Sequence, residues 1–331
     1  MKFWGFSSLI FYCASFFFPS FASAKYLEAI IDAPGPSGKL MGSLVQTERK
    51  SVAAAIIIPG SGPTDFDGNG PGGLNPATYK LLAHDLASAG ISSLRIDKRG
   101  MFRSESAVLN PNDVTIGDYV SDIDVWIASL KKRLGITCIW LIGHSEGSLV
   151  ALAAANKLQG VCGVVSLAGS GVSFGTLLRQ QIKSNPANIA LIDSVDFVIG
   201  ELEARRTVIT SNLHHALQNI FAPEIQGFLI DLFSYDPKEL ASRLSVPLLI
   251  VQGGRDLQVP VENGYSLKAA QMKAKLAIFP NANHVLKEVA SRDYEINIGT
   301  YLDPNLPLAT GLSAEISNFI LRNPRGKPAS Q

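Results

Sequence analysis

The stretch Gly143-His144-Ser145-Glu146-Gly147 constrains this chain more than any other, because of what stands on either side of it. It follows the apolar run Cys138-Ile139-Trp140-Leu141-Ile142 and precedes the helix-like run from Ser148 to Ala155. The five-residue pattern is weak by itself in a chain with 29 glycines. Between an apolar strand and a helix it reads as a nucleophile elbow, a sharp turn that lifts a serine hydroxyl off the edge of a sheet. Only small flanking residues let strand and helix approach that closely, and Gly143 and Gly147 meet that need. The competing reading is an ordinary glycine-rich turn with a solvated serine.

A chain of 331 residues with 47% hydrophobic content can bury a substantial core as one large domain or a domain with an insertion. Its 29 basic and 28 acidic residues leave a formal charge of +1, so no broad field attracts nucleic acid or an anionic membrane. The expected partner is a small molecule. Residues 1–24 read as a signal peptide: Met1-Lys2, an apolar stretch from Phe3 to Phe21, then Ala22-Ser23-Ala24 as an A-x-A cleavage site. The alternative is an uncleaved anchor helix. The expected localisation is therefore exported, periplasmic or secreted, with no stable membrane insertion once the signal is cleaved. In such a compartment Cys138 and Cys162, near the starts of two neighbouring parallel strands, form either a disulfide or two buried thiols. Nothing in the cysteine spacing points to a metal site.

Strand-like and helix-like segments alternate along most of the chain. Tyr26 to Ile31 and Lys39 to Val45 flank a Pro/Gly/Ser turn and predict a hairpin. Val52 to Ile58, Ile91 to Ile96, Cys138 to Ile142, Cys162 to Ala168, Val246 to Gln252 and Leu276 to Phe279 predict buried strands. Helices are predicted over Tyr79 to Ala89, Thr115 to Arg133, Asn263 to Gln271 and Ser313 to Leu321. The pattern predicts an α/β fold, a mostly parallel sheet flanked by helices. From about Val172 to Arg243 the alternation gives way to helix-like segments only, which predicts a helical cap, residues 172–243, inserted between two C-terminal-half strands. Residues 25–171 and 244–331 would then form the core. Leu177, Ile189, Leu191, Phe197, Ile220, Leu229 and Phe233 are expected to form mainly the core of that cap, with lining of an acyl pocket as the alternative.

A serine hydroxyl needs a base within hydrogen-bond reach and a third group to orient that base. Of five histidines, His284 stands just past the strand ending at Phe279, in Pro280-Asn281-Ala282-Asn283-His284, and is the expected general base. Gln252-Gly253-Gly254-Arg255-Asp256 follows another strand and places Asp256 at the same sheet edge. The order Ser145, Asp256, His284 is that of a strand-elbow hydrolase. An oxyanion needs preorganised N–H donors. The N–H of Glu146, after the serine, and that of Ser61, in the turn Pro59-Gly60-Ser61-Gly62 after the strand ending at Ile58, are the expected pair.

Taken together these residues resemble the α/β-hydrolase superfamily. The stretches Pro59 to Asp65, Asp67-Gly68-Asn69, Arg95 to Gly100, Gly143 to Gly147, Gln252 to Val259 and Asn283 to Lys287 are similar to those of bacterial serine hydrolases related to S33-type serine aminopeptidases and esterases. The resemblance implies an α/β-hydrolase fold with a small-molecule ester or acyl substrate and no cofactor or metal. It also implies a structural role for Asp97 and Arg99, in a buried ion pair. Phe66 and Met101-Phe102-Arg103-Ser104 depart from the group's pattern near the expected mouth of the site. The expected function is carboxylic ester hydrolysis through a Ser145–His284–Asp256 acyl-enzyme mechanism. An aminopeptidase or thioesterase on the same triad is the alternative within the enzyme class, and a non-catalytic small-ligand-binding protein the alternative outside it. Oligomeric state is not legible.

Overall fold

The computed structural model describes residues 26–323; the expected signal peptide, residues 1–24, lies outside them. Within these residues the alternation seen in the sequence becomes an eight-stranded sheet. The first strands, β1 (Tyr26–Pro34) and β2 (Lys39–Thr47), pair as the expected hairpin. They are followed by β3 (Ala53–Ile58), α1 (Thr78–Ser88), β4 (Ile91–Ile96), α2 (Ile116–Leu134), β5 (Ile139–His144), α3 (Glu146–Lys157) and β6 (Val161–Leu167). Five helices then run consecutively: α4 (Phe174–Lys183), α5 (Ile192–Glu203), α6 (His215–Ile220), α7 (Gln226–Phe233) and α8 (Pro237–Ser242). The chain closes with β7 (Leu248–Gly253), α9 (Glu262–Ala270), β8 (Lys275–Phe279), α10 (Tyr294–Gly299) and α11 (Leu312–Arg322).

Spatial order in the sheet is β1-β2-β4-β3-β5-β6-β7-β8. β2 meets β4 antiparallel, and every pair from β4 to β8 is parallel. The central strands are buried on both faces, which is why they read as continuous apolar runs. Their residues divide by the two-residue period of a strand. Ala54, Ile56 and Ile58 of β3, with Ile139 and Leu141 of β5, pack into one core with α2 and α3. Ala53, Ala55 and Ile57, with Trp140 and Ile142, pack into the other with α1 and α11.

Local chemistry sets the helix ends. Thr115 and Asp118 form a reciprocal capping box at the start of α2, and Gly135 ends that helix at φ 64°. The helices between β6 and β7 are held to one another by Arg179–Glu203 and Lys183–Asp196 ion pairs, both linking α4 to α5. They are held to the sheet layer through α7. Asp231 accepts a 2.7 Å hydrogen bond from the Ile116 N–H at the α2 N-terminus, and Phe228 packs edge-on against Tyr119. Cys138 and Cys162 are joined as a disulfide across the β5–β6 edge.

Candidate active site

The elbow sits where the central strand β5 ends and α3 begins. Ser145 takes φ 54° and ψ −119°, a positive-φ conformation that L-residues rarely adopt. Both flanking glycines are required by space. A Cβ on Gly143 would overlap the Gly147 carbonyl, and one on Gly147 would overlap the Ile58 carbonyl of the neighbouring strand. The turn therefore brings α3 against β3, and with it the loop that follows β3. A Cβ on Gly60 would lie 3.2 Å from the Ser145 Cβ.

Asp256 and His284 come together from the loops after β7 and β8, neighbours at the same edge. Asp256 is fully buried and His284 is 5% exposed. Asp256 Oδ2 lies 2.8 Å from His284 Nδ1, while its Oδ1 accepts the Gln258 and Val259 N–H groups, each at 2.8 Å. A carboxylate can only accept, so Nδ1 carries the proton and the Nε2 lone pair is free to take another. Asn297 of α10 donates to the Arg255 carbonyl at 2.8 Å, and Asn283 donates to the Asn297 carbonyl at 3.3 Å and to Oγ1 of Thr300, just past that helix, at 2.7 Å. Both loops thus lean on a helix that the periodicity of the sequence did not reveal.

Ser145 and His284 open into one cavity of about 720 Å³. One wall is apolar, formed by Phe174, Leu177 and Leu178 of α4 and Phe228, Leu229 and Leu232 of α7. The Gly/Pro-rich loop after β3, from Gly60 to Pro76, also lines the cavity. Among the described lining residues the charged side chains are Lys98 and Glu146, paired with each other at 3.0 Å and both buried. Such a cavity suits a neutral ligand with an apolar part.

Residues 75–190 match the family model described as serine aminopeptidase, S33. Over 239 residues the chain is 26% identical to esterase EstD of Thermotoga maritima, an alignment covering 70% of this chain and 54% of that protein. The chain thus spans about half the length of this curated relative. Esterase Pf2001 of Pyrococcus furiosus shares the fold with a TM-score of 0.57 at 17% identity, over 90% of this chain and 91% of that one. Est1E from Butyrivibrio proteoclasticus does so with a TM-score of 0.55 at 16% identity, over 89% and 98%. The chain has the α/β-hydrolase fold.

Both expected oxyanion donors, Ser61 and Glu146, line the cavity. Glu146 opens α3, where the first N–H groups of a helix have no intrahelical acceptor. The Ser61 N–H has no hydrogen-bond acceptor among the described residues.

Several expectations need correction. Asp97 and Arg99 do not pair with each other. Arg99 forms a bidentate pair with Asp122, at 2.7 and 2.6 Å, and reaches Asp118 at 2.9 Å. Asp97 accepts the N–H groups of Phe66 and Arg103, and burial pushes its carboxyl up to about 6. The Phe66 ring does not line the cavity, and the guanidinium groups of Arg95 and Arg103 lie 5.5 and 5.6 Å from its centre; Met101 does line it. Of the apolar residues between 172 and 243, Leu177, Ile220, Leu229 and Phe233 line the cavity, and Phe233 and Leu229 also pack in the core. Ile189, in the turn before α5, and Phe197, on the solvent side of α5, are exposed.

Three residues at the site were not singled out for it from the sequence. Tyr79 of α1 donates to His144 Nδ1 at 2.8 Å and accepts from the Gly60 N–H at 3.1 Å. His144 Nε2 faces the His284 carbonyl at 2.8 Å. Burial, with the neighbouring His284 adding to it, lowers His144 to about 3, so its ring is neutral with the proton on Nε2. Lys98 reaches both Glu146 and the Gly60 carbonyl. The available signal was position: a charged residue in a buried strand-end turn must have a partner.

Proposed function

We propose that this protein is an exported serine hydrolase that cleaves carboxylic esters with an apolar acyl group. The observation that carries the reading is the hydrogen-bonded Asp256–His284 pair opening, with Ser145, into a cavity whose larger wall is apolar. In the proposed reaction His284 Nε2 takes the Ser145 proton as Oγ attacks the ester carbonyl. The N–H groups of Ser61 and Glu146 hold the oxyanion, and Asp256 stabilises the imidazolium without taking its proton. Collapse of the intermediate sends the proton to the leaving alcohol. Water, deprotonated by the same histidine, then releases the acid and regenerates Ser145.

Residues 172–243 are the proposed cap, with α4 and α7 lining the acyl side. Export is a proposal from residues 1–24 of the sequence. Among the described residues no helix is long and apolar enough to cross a membrane.

A free carboxylate at the cavity would favour an aminopeptidase, which must bind an ammonium group. Glu201 and Glu203 are committed to Arg206 and Arg179, and Glu146 to Lys98. The carboxylates are occupied, which favours the neutral ester over the peptide. The test is hydrolysis of p-nitrophenyl esters from acetate to palmitate by the mature protein and by Ser145→Ala. Turnover that vanishes in the variant supports the reading; equal rates in both, or none with any ester, would reject it.

A further inference from the structure

Lys98 is buried to within 3% of its surface at the end of β4, in a turn that the proposed reaction does not use. Its ammonium donates to two acceptors, the Gly60 carbonyl at 2.7 Å and Glu146 Oε1 at 3.0 Å, and lies 5.2 Å over the Tyr119 ring. Burial disfavours that charge, but Glu146 and Tyr119 together more than offset the penalty, and the ammonium is held above its usual range. The two acceptors are not arbitrary. Glu146 carries one proposed oxyanion donor on its own backbone. Gly60 shares a peptide unit with Ser61, whose N–H is the other.

A trans peptide is planar, with its C=O and N–H pointing in opposite directions. Fixing the Gly60 carbonyl on the ammonium therefore turns the Ser61 N–H away from Lys98. A cation on the carbonyl oxygen also draws electron density from the peptide and makes its N–H a stronger donor. The preceding peptide is fixed independently, since the Gly60 N–H donates to Tyr79 Oη at 3.1 Å. Gly60 is thus held on both sides, and the order β4-β3-β5 in the sheet brings Lys98, Gly60 and Glu146 to one edge.

We propose that Lys98 is a positioning residue for acyl transfer, cross-linking the two halves of the oxyanion site by holding the Gly60–Ser61 peptide and the Glu146 side chain on one ammonium. The inference rests on the serine hydrolase reading above. It differs from a structural ion pair in what it predicts. Loss of a structural pair lowers stability and leaves the kinetic constants of the folded enzyme alone, whereas loss of an oxyanion-site support lowers kcat while substrate binding persists.

The experiment compares wild type, Ser145→Ala and Lys98→Met/Glu146→Gln, the last removing both charges so that neither is left buried and unpaired. With p-nitrophenyl butyrate the double variant should keep its KM within about threefold and lose kcat by roughly 100-fold, the scale of one oxyanion donor. An alkyl boronic acid, which forms a tetrahedral adduct on Ser145, should bind more weakly by a similar factor, while the unreactive ether analogue of the substrate should bind as before. Should the methionine variant not fold, Lys98→Gln/Glu146→Gln decides in its place, with an expected kcat loss of at least about tenfold at unchanged KM. A folded double variant with kcat and boronate affinity within about threefold of wild type would overturn the role of Lys98 alone. Wild-type turnover that survives in Ser145→Ala would overturn the serine hydrolase reading and this inference with it.

Discussion

His144 Nε2 donates to the main-chain carbonyl of His284 across 2.8 Å, so the residue before the elbow serine holds the backbone of the proposed base. The same ring accepts from Tyr79, which in turn accepts from the Gly60 N–H. One buried chain of hydrogen bonds therefore spans the loops after β3, β5 and β8. It works only while His144 is neutral, because a protonated Nδ1 cannot accept.

This gives a pH dependence with a definite sign. His144 is lowered to about 3 by burial, with His284 adding to it, against an ordinary 6.5 in the unfolded chain. Between those values the unfolded chain binds more protons, so the stabilisation is complete above pH 6.5 and is lost as pH falls towards about 3. Its limiting slope is about 1.4 kcal/mol per pH unit. In urea unfolding at pH 7, 6, 5 and 4, wild type should lose stability relative to His144→Gln by up to that slope. Parallel curves would show that His144 does not titrate in this way.

Replacing Asp256 with Asn should leave the fold intact while reversing the proton preference at His284 Nδ1. The Gln258 and Val259 N–H groups still find an oxygen acceptor there, but the amide can donate to the ring. The expected loss in kcat is on the order of 10⁴-fold at little change in melting temperature. Activity within tenfold of wild type would mean that another carboxylate orients the histidine.

Leu229 of α7 is half-buried and lines the apolar wall. Leu229→Trp should fill part of the cavity and lower kcat/KM for p-nitrophenyl octanoate at least about tenfold more than for the acetate. Equal effects on both esters would move the acyl chain away from α7.

Cys138 and Cys162 close a loop with a sequence separation of 24 residues. Chain-entropy arguments give such a bridge about 3 kcal/mol. The Cys138→Ala/Cys162→Ala protein should unfold at correspondingly lower urea, and a reductant should destabilise wild type but not the variant. The bridge lies at the far end of β5 from Ser145, so activity at 25 °C should persist.

Most of the sheet could be read from sequence because strands buried on both faces leave continuous apolar runs, as in Ala53–Ile58 and Leu248–Gly253. The elbow was legible because its glycines are demanded by contacts within a few residues of the turn. Asp256 and His284 could be located as residues at strand ends, and the structure brings them into contact. Lys98–Glu146 and Tyr79–His144 could not be read, because both pairings depend on which strands lie side by side. α10 is short and only one of its residues, Asn297, is buried, so it has no apolar period to detect. For Leu177 and Leu229 the sequence left lining and core as alternatives, because an apolar residue facing a cavity and one facing a core look alike in sequence.

The central claim is that Ser145 is the nucleophile of an acyl-transfer enzyme, and covalent labelling tests it most directly. The purified protein, treated with an alkyl fluorophosphonate and digested, should carry one stoichiometric adduct on the peptide containing Ser145. The adduct should be absent from Ser145→Ala and should form far more slowly in His284→Ala. Labelling at another residue, or none in a folded and intact protein, would contradict the account.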